Sequence, residues 1–336
     1  MHPRIRWGII ATGNIAGQFA RDLALLPDHE VVAVGSRSLA RAQAYAEEFG
    51  VRRAYGSYTD LVSDLDVDVV YVATPHSDHL ATARLALEAG KAVLCEKALT
   101  ANAREARELV SLAQEKRLFF MEAMWMRCNP LHLQLRDLIA GGAIGQPQTL
   151  HASMGFLAEY DPEGRLFAPE LAGGALLDIG VYPVSLAHHL LGPPATVRAT
   201  ATLAPTGVDA SVGMVFGYAS GVVATLTGSI AGILPNDAAI GGTEGWIDIP
   251  RNFHDTTSLT VHREGKDPET YAVEKHGIGY TYEAIEVARC LREGLVESPL
   301  VSWADSLAVM DVLDGVREQI GVQYPNDVHS DDETPP

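Results

Sequence analysis

The N-terminal stretch Arg6–Ala16 is the sequence feature that most restricts the fold. Its apolar run Trp7–Ala11 is typical of a buried parallel strand, and the run ends at a turn that contains Gly13. A helical pattern follows, with an apolar face that contains Ile15, Phe19 and Leu26. Backbone N–H groups and the helix dipole both favour negative charge at such a turn. We therefore expect a bound anion at Thr12, Gly13, Asn14 and Ile15.

The spacing of this turn matches a dinucleotide fingerprint, Gly-x-Gly-x-x-Gly/Ala, except at its first position. The sequence has Ala11-x-Gly13-x-x-Ala16, which by itself does not distinguish a pyrophosphate site from an ordinary strand–helix turn. Strand and helix patterns then alternate as far as Glu122 and give six strands. This alternation predicts an α/β domain over residues 1–124, a doubly wound parallel sheet of the Rossmann type. Such a sheet binds a dinucleotide at the carboxyl ends of its strands.

The pattern changes after Trp125 to segments with a period of two. They predict an α+β domain over residues 125–325 with a large, mostly antiparallel open sheet, for substrate binding and oligomerisation. An apolar helix is expected near Ala175–Leu191. We expect a homodimer or a dimer of dimers to form through this sheet, because one of its faces is strongly apolar: Val212, Met214, Phe216, Val222, Ala224 and Leu226. Residues 326–336 are acidic, end in proline and are expected to be disordered.

Composition excludes several classes of partner. The net charge is −18, from 25 basic and 43 acidic residues, which argues against nucleic acid and anionic membranes as partners. Cys95, Cys128 and Cys290 are too few and too scattered for a disulfide framework or a zinc site. The sequence has no apolar run of membrane-spanning length and no signal-peptide pattern, so we expect a cytoplasmic protein.

The residues after the second predicted strand indicate the cofactor. An acidic residue about 20 positions after the fingerprint would favour NAD, but Ser36 and Arg37 stand there instead. An arginine and a hydroxyl suit a 2′-phosphate, so we expect NADP(H) rather than NAD(H). The alternative is that Arg37 is a solvated surface residue.

The loop after the fourth predicted strand contains Thr74, Pro75, His76 and His79, and we expect it to lie against the nicotinamide ribose. His76, Asp78 and His79 could also suggest a metal ion. Three ligands so close in sequence do not obviously reach a metal-binding geometry, so no metal site is expected.

Two further clusters contain candidate catalytic groups. Glu96 and Lys97, which we also expect to contact the cofactor, end the fifth strand. Lys97 would either extend into solvent or hold a fixed ammonium beside the reacting carbon. Asp178 and Tyr182 follow Gly173-Gly174 at a spacing of four, so they share one face of the predicted helix in apolar surroundings. A capping aspartate and a core tyrosine would give the same pattern without any chemistry.

Together with the N-terminal turn, three segments resemble the glucose–fructose oxidoreductase/inositol dehydrogenase family: Cys95–Lys97, Met121–Trp125 and Gly173–Pro183. Tyr182 stands where most of the family has histidine. In this tyrosine the sequence resembles the branch of dimeric dihydrodiol dehydrogenases and NADP-dependent xylose dehydrogenases. The resemblance extends from Arg6 to about Pro325. The sequence departs from the family at Ala98, where a proline is usual, and this change is expected to loosen the loop that holds Lys97. It departs again at Ala11.

The resemblance implies a nicotinamide-dependent oxidoreductase that acts on a sugar, a cyclic polyol or a dihydrodiol, or on the corresponding carbonyl. Tyr182 would be the general acid/base, Lys97 would favour its phenolate and hold the substrate hydroxyl, and Asp178 would orient a second hydroxyl. The substrate pocket would include Trp125, Arg127, Phe156, Asp178 and Ile179. Two other functions stay open: a non-catalytic NADP(H)-binding sensor and a redox-assisted glycoside hydrolase.

Overall fold

A computed structural model describes residues 4–328 of the chain. The chain divides into two compact units, and neither is continuous in sequence. The first contains the chain up to Cys128 together with Lys275–Leu307. The second contains Asn129–Glu274 and the chain from Ala308 onward.

The first unit is built on a six-stranded parallel sheet with the strand order β3-β2-β1-β4-β5-β6. This is the doubly wound sheet that the sequence predicts. The order reverses between β1 and β4, where the crevice of such a sheet lies. Its strands are β1 Ile5–Ile10, β2 His29–Gly35, β3 Arg53–Tyr55, β4 Val69–Val72, β5 Ala92–Glu96 and β6 Phe120–Ala123.

Local capping signals fix the helices of this unit. Ser38 and Asn102 cap α2 and α5, and each side chain accepts the backbone N–H three residues later. Gly50 ends α2 in a left-handed conformation. The helices are α1 Asn14–Leu23, α2 Leu39–Phe49, α3 Tyr58–Val62, α4 His79–Glu88 and α5 Ala103–Lys116.

Residues 275–307 group with the first unit, whereas the sequence-based division places them in the second domain. Asp22 on α1 provides the physical reason. Its carboxylate accepts the backbone N–H groups of Ile278, Gly279, Tyr280 and Thr281, where helix α8 (Tyr280–Glu293) begins. A carboxylate stabilises a helix N-terminus in this way, so the segment is fastened to a partner more than 250 positions earlier in the chain.

The second unit contains an eight-stranded sheet with the order β14-β13-β12-β11-β7-β10-β9-β8, in which only β7 and β10 pair in parallel. The predicted open, mostly antiparallel sheet is confirmed. Strand β11 has no counterpart among the predicted strands. The strands are β7 Pro147–Gly155, β8 Thr196–Leu203, β9 Asp209–Gly217, β10 Val223–Ser229, β11 Ala238–Gly242, β12 Gly245–Ile249, β13 Ser258–Arg263 and β14 Glu269–Ala272.

One face of this sheet is covered by the chain's own helices. The predicted helix near Ala175–Leu191 is a π-helical turn, Leu176–Gly180, followed by α7, Val181–Leu191, and both pack on β10. The six apolar residues that suggested an oligomer interface are therefore buried within the chain, and that argument for oligomerisation was wrong. The opposite face exposes Val215, Val223 and Trp246.

The remaining helices are α6 Pro130–Ala140 and α9 Trp303–Ile320. After α9, Asp327 pairs with Arg317 at 2.8 Å and accepts the Tyr324 N–H, so the expected disorder does not extend to residues 326–328. Residues 329–336, the rest of that prediction, lie outside the described residues. Within residues 4–328, one helical stretch, Pro169–Leu191, is long and apolar enough to span a membrane, and 89% of it is buried inside the protein.

Candidate functional site

The turn between β1 and α1 leaves a helix N-terminus open. Ala11 has a φ of 77°, so it keeps the left-handed conformation that the fingerprint's first glycine would adopt freely. Gly13 is the N-cap of α1. No side chain caps this helix, and its first turn contains no acidic residue. A Cβ at Gly13 would meet no atom within 4 Å. Thr12, Gly13, Asn14 and Ile15 are all at least partly exposed.

The end of β2 presents an exposed arginine and a buried serine. The Arg37 side chain is 79% exposed, and its guanidinium lies 3.9 Å from the Asp78 carboxylate. Ser36 is buried, and its hydroxyl accepts the Ser38 N–H at 3.3 Å. Arg37 is thus the accessible group for a phosphate at this edge of the sheet, whereas Ser36 supports the turn.

The loop after β4 contains an inward-facing and an outward-facing histidine. His79 is fully buried, with Nδ1 3.0 Å from the Ala98 carbonyl and Nε2 2.9 Å from the Thr74 carbonyl. Burial lowers the pKa of His79, which favours the neutral ring. The expectation that His79 contacts the cofactor directly is therefore corrected: its ring joins two loops. Pro75 and His76 remain partly exposed, and the Thr74 hydroxyl lies 3.2 Å from that of Thr82.

Lys97 follows β5 on a loop that hydrogen bonds hold in place. Glu96 is buried, receives a hydrogen bond from the Tyr71 hydroxyl and accepts the Lys97 N–H at 3.2 Å. Glu122 on β6 accepts the Leu99 N–H at 3.1 Å and the Ser306 hydroxyl at 2.6 Å. Burial raises the pKa of Glu122 to about 7.

These contacts fix the loop on both sides of Ala98, which is itself buried. The effect of the missing proline on this loop stays a prediction. The Lys97 side chain is partly exposed.

The residues after β6 are largely buried. The Arg127 guanidinium is 8% exposed and donates to Asp305 at 3.2 Å, which corrects its assignment as a substrate contact. Trp125 is 5% exposed, and its ring centroid lies 4.8 Å from that of Tyr280.

In the second unit, Gly173 and Gly174 form a turn with no room for side chains. A Cβ at Gly173 would lie 2.8 Å from the Leu166 carbonyl oxygen, and one at Gly174 would lie 2.3 Å from Asp209 Oδ1. Gly174 also has a φ of 117°, which side chains rarely permit. Asp209 accepts the Leu176 N–H at 2.6 Å and so caps the π-helical turn that follows.

That turn and α7 position the two predicted catalytic groups of this unit. Asp178 lies within the π-helical turn and Tyr182 in the first turn of α7, and both are largely buried. Arg165 donates to Asp178 Oδ1 at 2.9 Å. The Tyr182 ring centroid lies 5.2 Å from that of His254.

The other two residues that we expected to touch the substrate also belong to the second unit. Ile179 follows Asp178 and is buried, whereas Phe156, at the end of β7, is 37% exposed. Sequence reasoning missed Arg165, Asp209 and His254. Only Arg165, a cation a few residues before the paired glycines, gives a local signal. Within residues 4–328, no group of three or more His, Cys, Asp or Glu side chains is arranged to hold a metal ion.

The carboxyl edge of the first sheet therefore combines an uncapped helix N-terminus, open space at Gly13 and an exposed arginine after β2. These features suit a pyrophosphate and a ribose phosphate, and the first turn of α1 contains no acidic residue that would repel them. Fold and edge together define a dinucleotide-binding protein with a second, mixed α/β-sheet unit.

Comparison with known proteins identifies the family. Residues 5–124 match the model described as "Oxidoreductase family, NAD-binding Rossmann fold", and residues 132–248 match the GFO/IDH/MocA C-terminal domain. The chain therefore belongs to the GFO/IDH/MocA oxidoreductase family, as the sequence motifs suggested. The trans-1,2-dihydrobenzene-1,2-diol dehydrogenase of Mus musculus is 39% identical over 332 residues, which cover 96% of this chain and 99% of the mouse protein. The protein of the same name from Oryctolagus cuniculus is 40% identical over 331 residues, or 96% of this chain and all of the rabbit one.

Solved structures with the same architecture include a 3-ketoreductase from Actinomadura kijaniata in complex with NADP and TDP-benzene. It has a TM-score of 0.83 and 30% identity, covering 94% of this chain and 98% of the ketoreductase. The aldose–aldose oxidoreductase of Caulobacter crescentus, complexed with glycerol, has a TM-score of 0.85 over 94% and 97% of the two chains. At 22% identity, this second structure supports the fold alone.

Proposed function

We propose that this protein is an NADP(H)-dependent oxidoreductase that moves a hydride between the nicotinamide and a secondary alcohol or carbonyl. The substrate class is a sugar, a cyclic polyol or a dihydrodiol. One observation carries the proposal: the chain matches dihydrodiol dehydrogenases over 96% of its length at 39% identity. The ketoreductase structures with bound NADP support the choice of cofactor.

We assign the cofactor to the carboxyl edge of the parallel sheet. The N–H groups at Gly13, Asn14 and Ile15 would hold the pyrophosphate, and Arg37 the 2′-phosphate. Pro75, His76 and the Lys97 loop would lie along the nicotinamide ribose. When bound, the nicotinamide accepts or supplies the hydride, and the protein supplies the orientation and the proton.

We assign proton transfer to Tyr182. In the oxidative direction its phenolate accepts the hydroxyl proton as the hydride leaves the same carbinol carbon. Lys97 would favour the phenolate and bind the reacting oxygen, and Asp178 would accept a hydrogen bond from a neighbouring hydroxyl. The Actinomadura ketoreductase supports this assignment, since variants of a lysine and a tyrosine 84 positions apart in that chain have been crystallised. Lys97 and Tyr182 are 85 positions apart.

We also propose that the rings of Phe156, which is 37% exposed, and Trp125, which is 5% exposed, line the substrate pocket, because flat apolar groups suit the C–H face of a sugar or the ring of an aromatic diol. We propose a homo-oligomer joined through the exposed face of the eight-stranded sheet, where Val215, Val223 and Trp246 are each nearly half exposed. Three free, buried cysteines support a reducing compartment such as the cytoplasm.

The test is a screen for NADP⁺ reduction at mildly alkaline pH over pentoses, hexoses, inositols, anhydrosugars and arene dihydrodiols, with carbonyl reduction by NADPH in parallel. We expect turnover of at least one cyclic diol or aldose. Tyr182→Phe should bind NADPH normally and lose about 10²–10⁴-fold in kcat, the usual contribution of general acid/base catalysis.

Three outcomes would contradict parts of this proposal. Near-full kcat in Tyr182→Phe would move the proton-transfer role to another residue. Tight NADPH binding without turnover of any compound would instead indicate a sensor. Glycoside cleavage without net NADP⁺ reduction would indicate the redox-assisted hydrolase.

A further inference from the structure

The carboxylate of Asp178 has a cationic partner, Arg165, to which the sequence analysis assigns no role. Arg165 Nη1 lies 2.9 Å from Asp178 Oδ1. The two side chains differ in exposure, with 9% of Asp178 accessible and 59% of Arg165. A buried carboxylate is thus approached from solvent by a guanidinium, a group that stays charged at every accessible pH.

The backbone around Arg165 is fixed by the glycine turn. The Gly174 N–H donates to the Leu166 carbonyl at 2.9 Å, and the Gly173 N–H donates to the Ala168 carbonyl at 3.1 Å. A Cβ at Gly173 would lie 2.9 Å from the Arg165 carbonyl oxygen, so only glycine lets the two segments come this close. The paired glycines therefore bring residues 165–168 against the start of the helix that bears Asp178.

We propose that Arg165 is a positioning residue for Asp178: its guanidinium keeps the carboxylate ionised and fixes the direction of its oxygens toward a substrate hydroxyl. This inference rests on the proposed function. It also assigns the chemical role of Asp178, because an ionised carboxylate accepts a hydrogen bond from the substrate and does not act as the proton donor. Proton transfer is then left to Tyr182.

The burial of Asp178 explains why this pair differs from an ordinary surface ion pair. Fully exposed pairs contribute little, because water solvates both ions when the pair is broken. A buried carboxylate that loses its cation keeps an uncompensated charge, so it takes up a proton or changes its orientation. Either change would weaken its hydrogen bond with a substrate hydroxyl.

The kinetic experiment compares Arg165→Met, Arg165→Lys and the wild type across pH, with the best substrate of the screen. We expect Arg165→Met to lose at least tenfold in kcat/KM, mainly through KM, and its acid limb to move to higher pH. Arg165→Lys should recover part of the loss, because an ammonium keeps the charge but not the planar geometry. Arg136→Met is the matched control, since Arg136 forms an exposed pair with Asp137 in the same unit.

A double-variant comparison separates positioning from simple destabilisation. If Arg165 acts through Asp178, Arg165→Met should cost little further kcat/KM once Asp178→Asn is present. Independent, multiplicative losses would overturn the proposal. So would an Arg165→Met enzyme with the wild-type KM and acid limb.

A direct titration keeps the inference distinct from the proposed function. The carboxyl-carbon NMR signal that is absent in Asp178→Asn belongs to Asp178, and its midpoint should rise in Arg165→Met. An unchanged midpoint would overturn the proposal even if the enzyme is active. A raised midpoint in a protein that turns over no substrate would support the pairing and count against the proposed function.

Discussion

The glycine turn at Gly13 and the one at Gly173 and Gly174 differ in what occupies the space beside the glycine. At Gly13 a Cβ would meet nothing within 4 Å, so the missing side chain leaves open space before a helix N-terminus. At Gly173 and Gly174 the space of the missing side chains is filled by the Leu166 carbonyl and the Asp209 carboxylate. The first turn is open, whereas the second is packed against its own chain. Glycine in a motif therefore has to be interpreted by what occupies the space beside it.

The comparison predicts its largest effect at Gly174. Gly174→Ala would force a side chain onto a φ of 117° and place its Cβ 2.3 Å from Asp209 Oδ1. Strain and overpacking together should lower the free energy of unfolding by about 2–5 kcal/mol. Urea unfolding measures this change. Gly213→Ala is the control because a Cβ there meets no atom within 4 Å, and equal unfolding midpoints for the two variants would refute the packing argument.

The next effect concerns the carboxylate that fills the second turn. Burial raises the pKa of Asp209 to about 7 from its ordinary 3.8, so the folded protein retains a proton that the unfolded chain releases. The contribution of protonated Asp209 to the free energy of unfolding is complete below about pH 4 and is lost as the pH rises through 7. The loss is on the order of a few kcal/mol.

Asp209→Asn keeps an acceptor for the Leu176 N–H and removes this titration. We therefore expect the variant to gain stability relative to the wild type between pH 5 and pH 8, measured by urea unfolding at each pH. A stability difference that stays constant over that range would show that Asp209 does not titrate there.

On the side of the open turn, the exposed Arg37 should determine the choice of cofactor. Arg37→Ala removes one charge-assisted contact with a 2′-phosphate, worth roughly 1.5–3 kcal/mol, so the NADP/NAD ratio of kcat/KM should fall about 10–100-fold. Stability should not change, because Arg37 is 79% exposed. A wild type that prefers NAD, or an unchanged ratio in the variant, would contradict the assignment.

The smallest effect tests the open turn itself. Gly13 has a φ of −76°, which alanine also adopts, and a Cβ there would displace no neighbouring atom. Gly13→Ala should therefore change the free energy of unfolding by less than about 1 kcal/mol. Its methyl group would nevertheless enter the space through which a pyrophosphate approaches the backbone. We expect about tenfold weaker NADPH binding by fluorescence titration. Normal affinity would mean that Gly13 does not face the cofactor.

The sequence predicted those parts of the fold whose signals are local. Strand β5 ends at Glu96, where the sequence predicted the end of the fifth strand, and Ser38 and Asn102 cap helices through an N–H only three residues later. Strand β11 escaped prediction because its short Ala238–Gly242 segment ends in two glycines. Its strand conformation comes from pairing with β7 on one side and β12 on the other.

The candidate site was less predictable because burial depends on distant partners. Arg127 was expected in the substrate pocket, but its buried guanidinium donates to Asp305, which lies 178 positions later in the chain. His79 looked like a ligand-facing residue, but its ring lies between two backbone carbonyls. The apolar alternation of β9 and β10 was identified correctly. What covers it, a π-helical turn and α7, could not be inferred from periodicity alone.

The hydrogen bonds between Asp22 and the start of α8 also bear on the order in which the protein can fold during synthesis. A ribosome releases β6 early, whereas the residues that cover its edge emerge near the end: the Val296 carbonyl accepts the Phe120 N–H, and the Trp303 indole donates to the Phe120 carbonyl. Until then the Phe120 backbone and the Asp22 carboxylate lack these hydrogen-bond partners. The unit that contains the parallel sheet therefore gains its last contacts only when almost all of the polypeptide has been made.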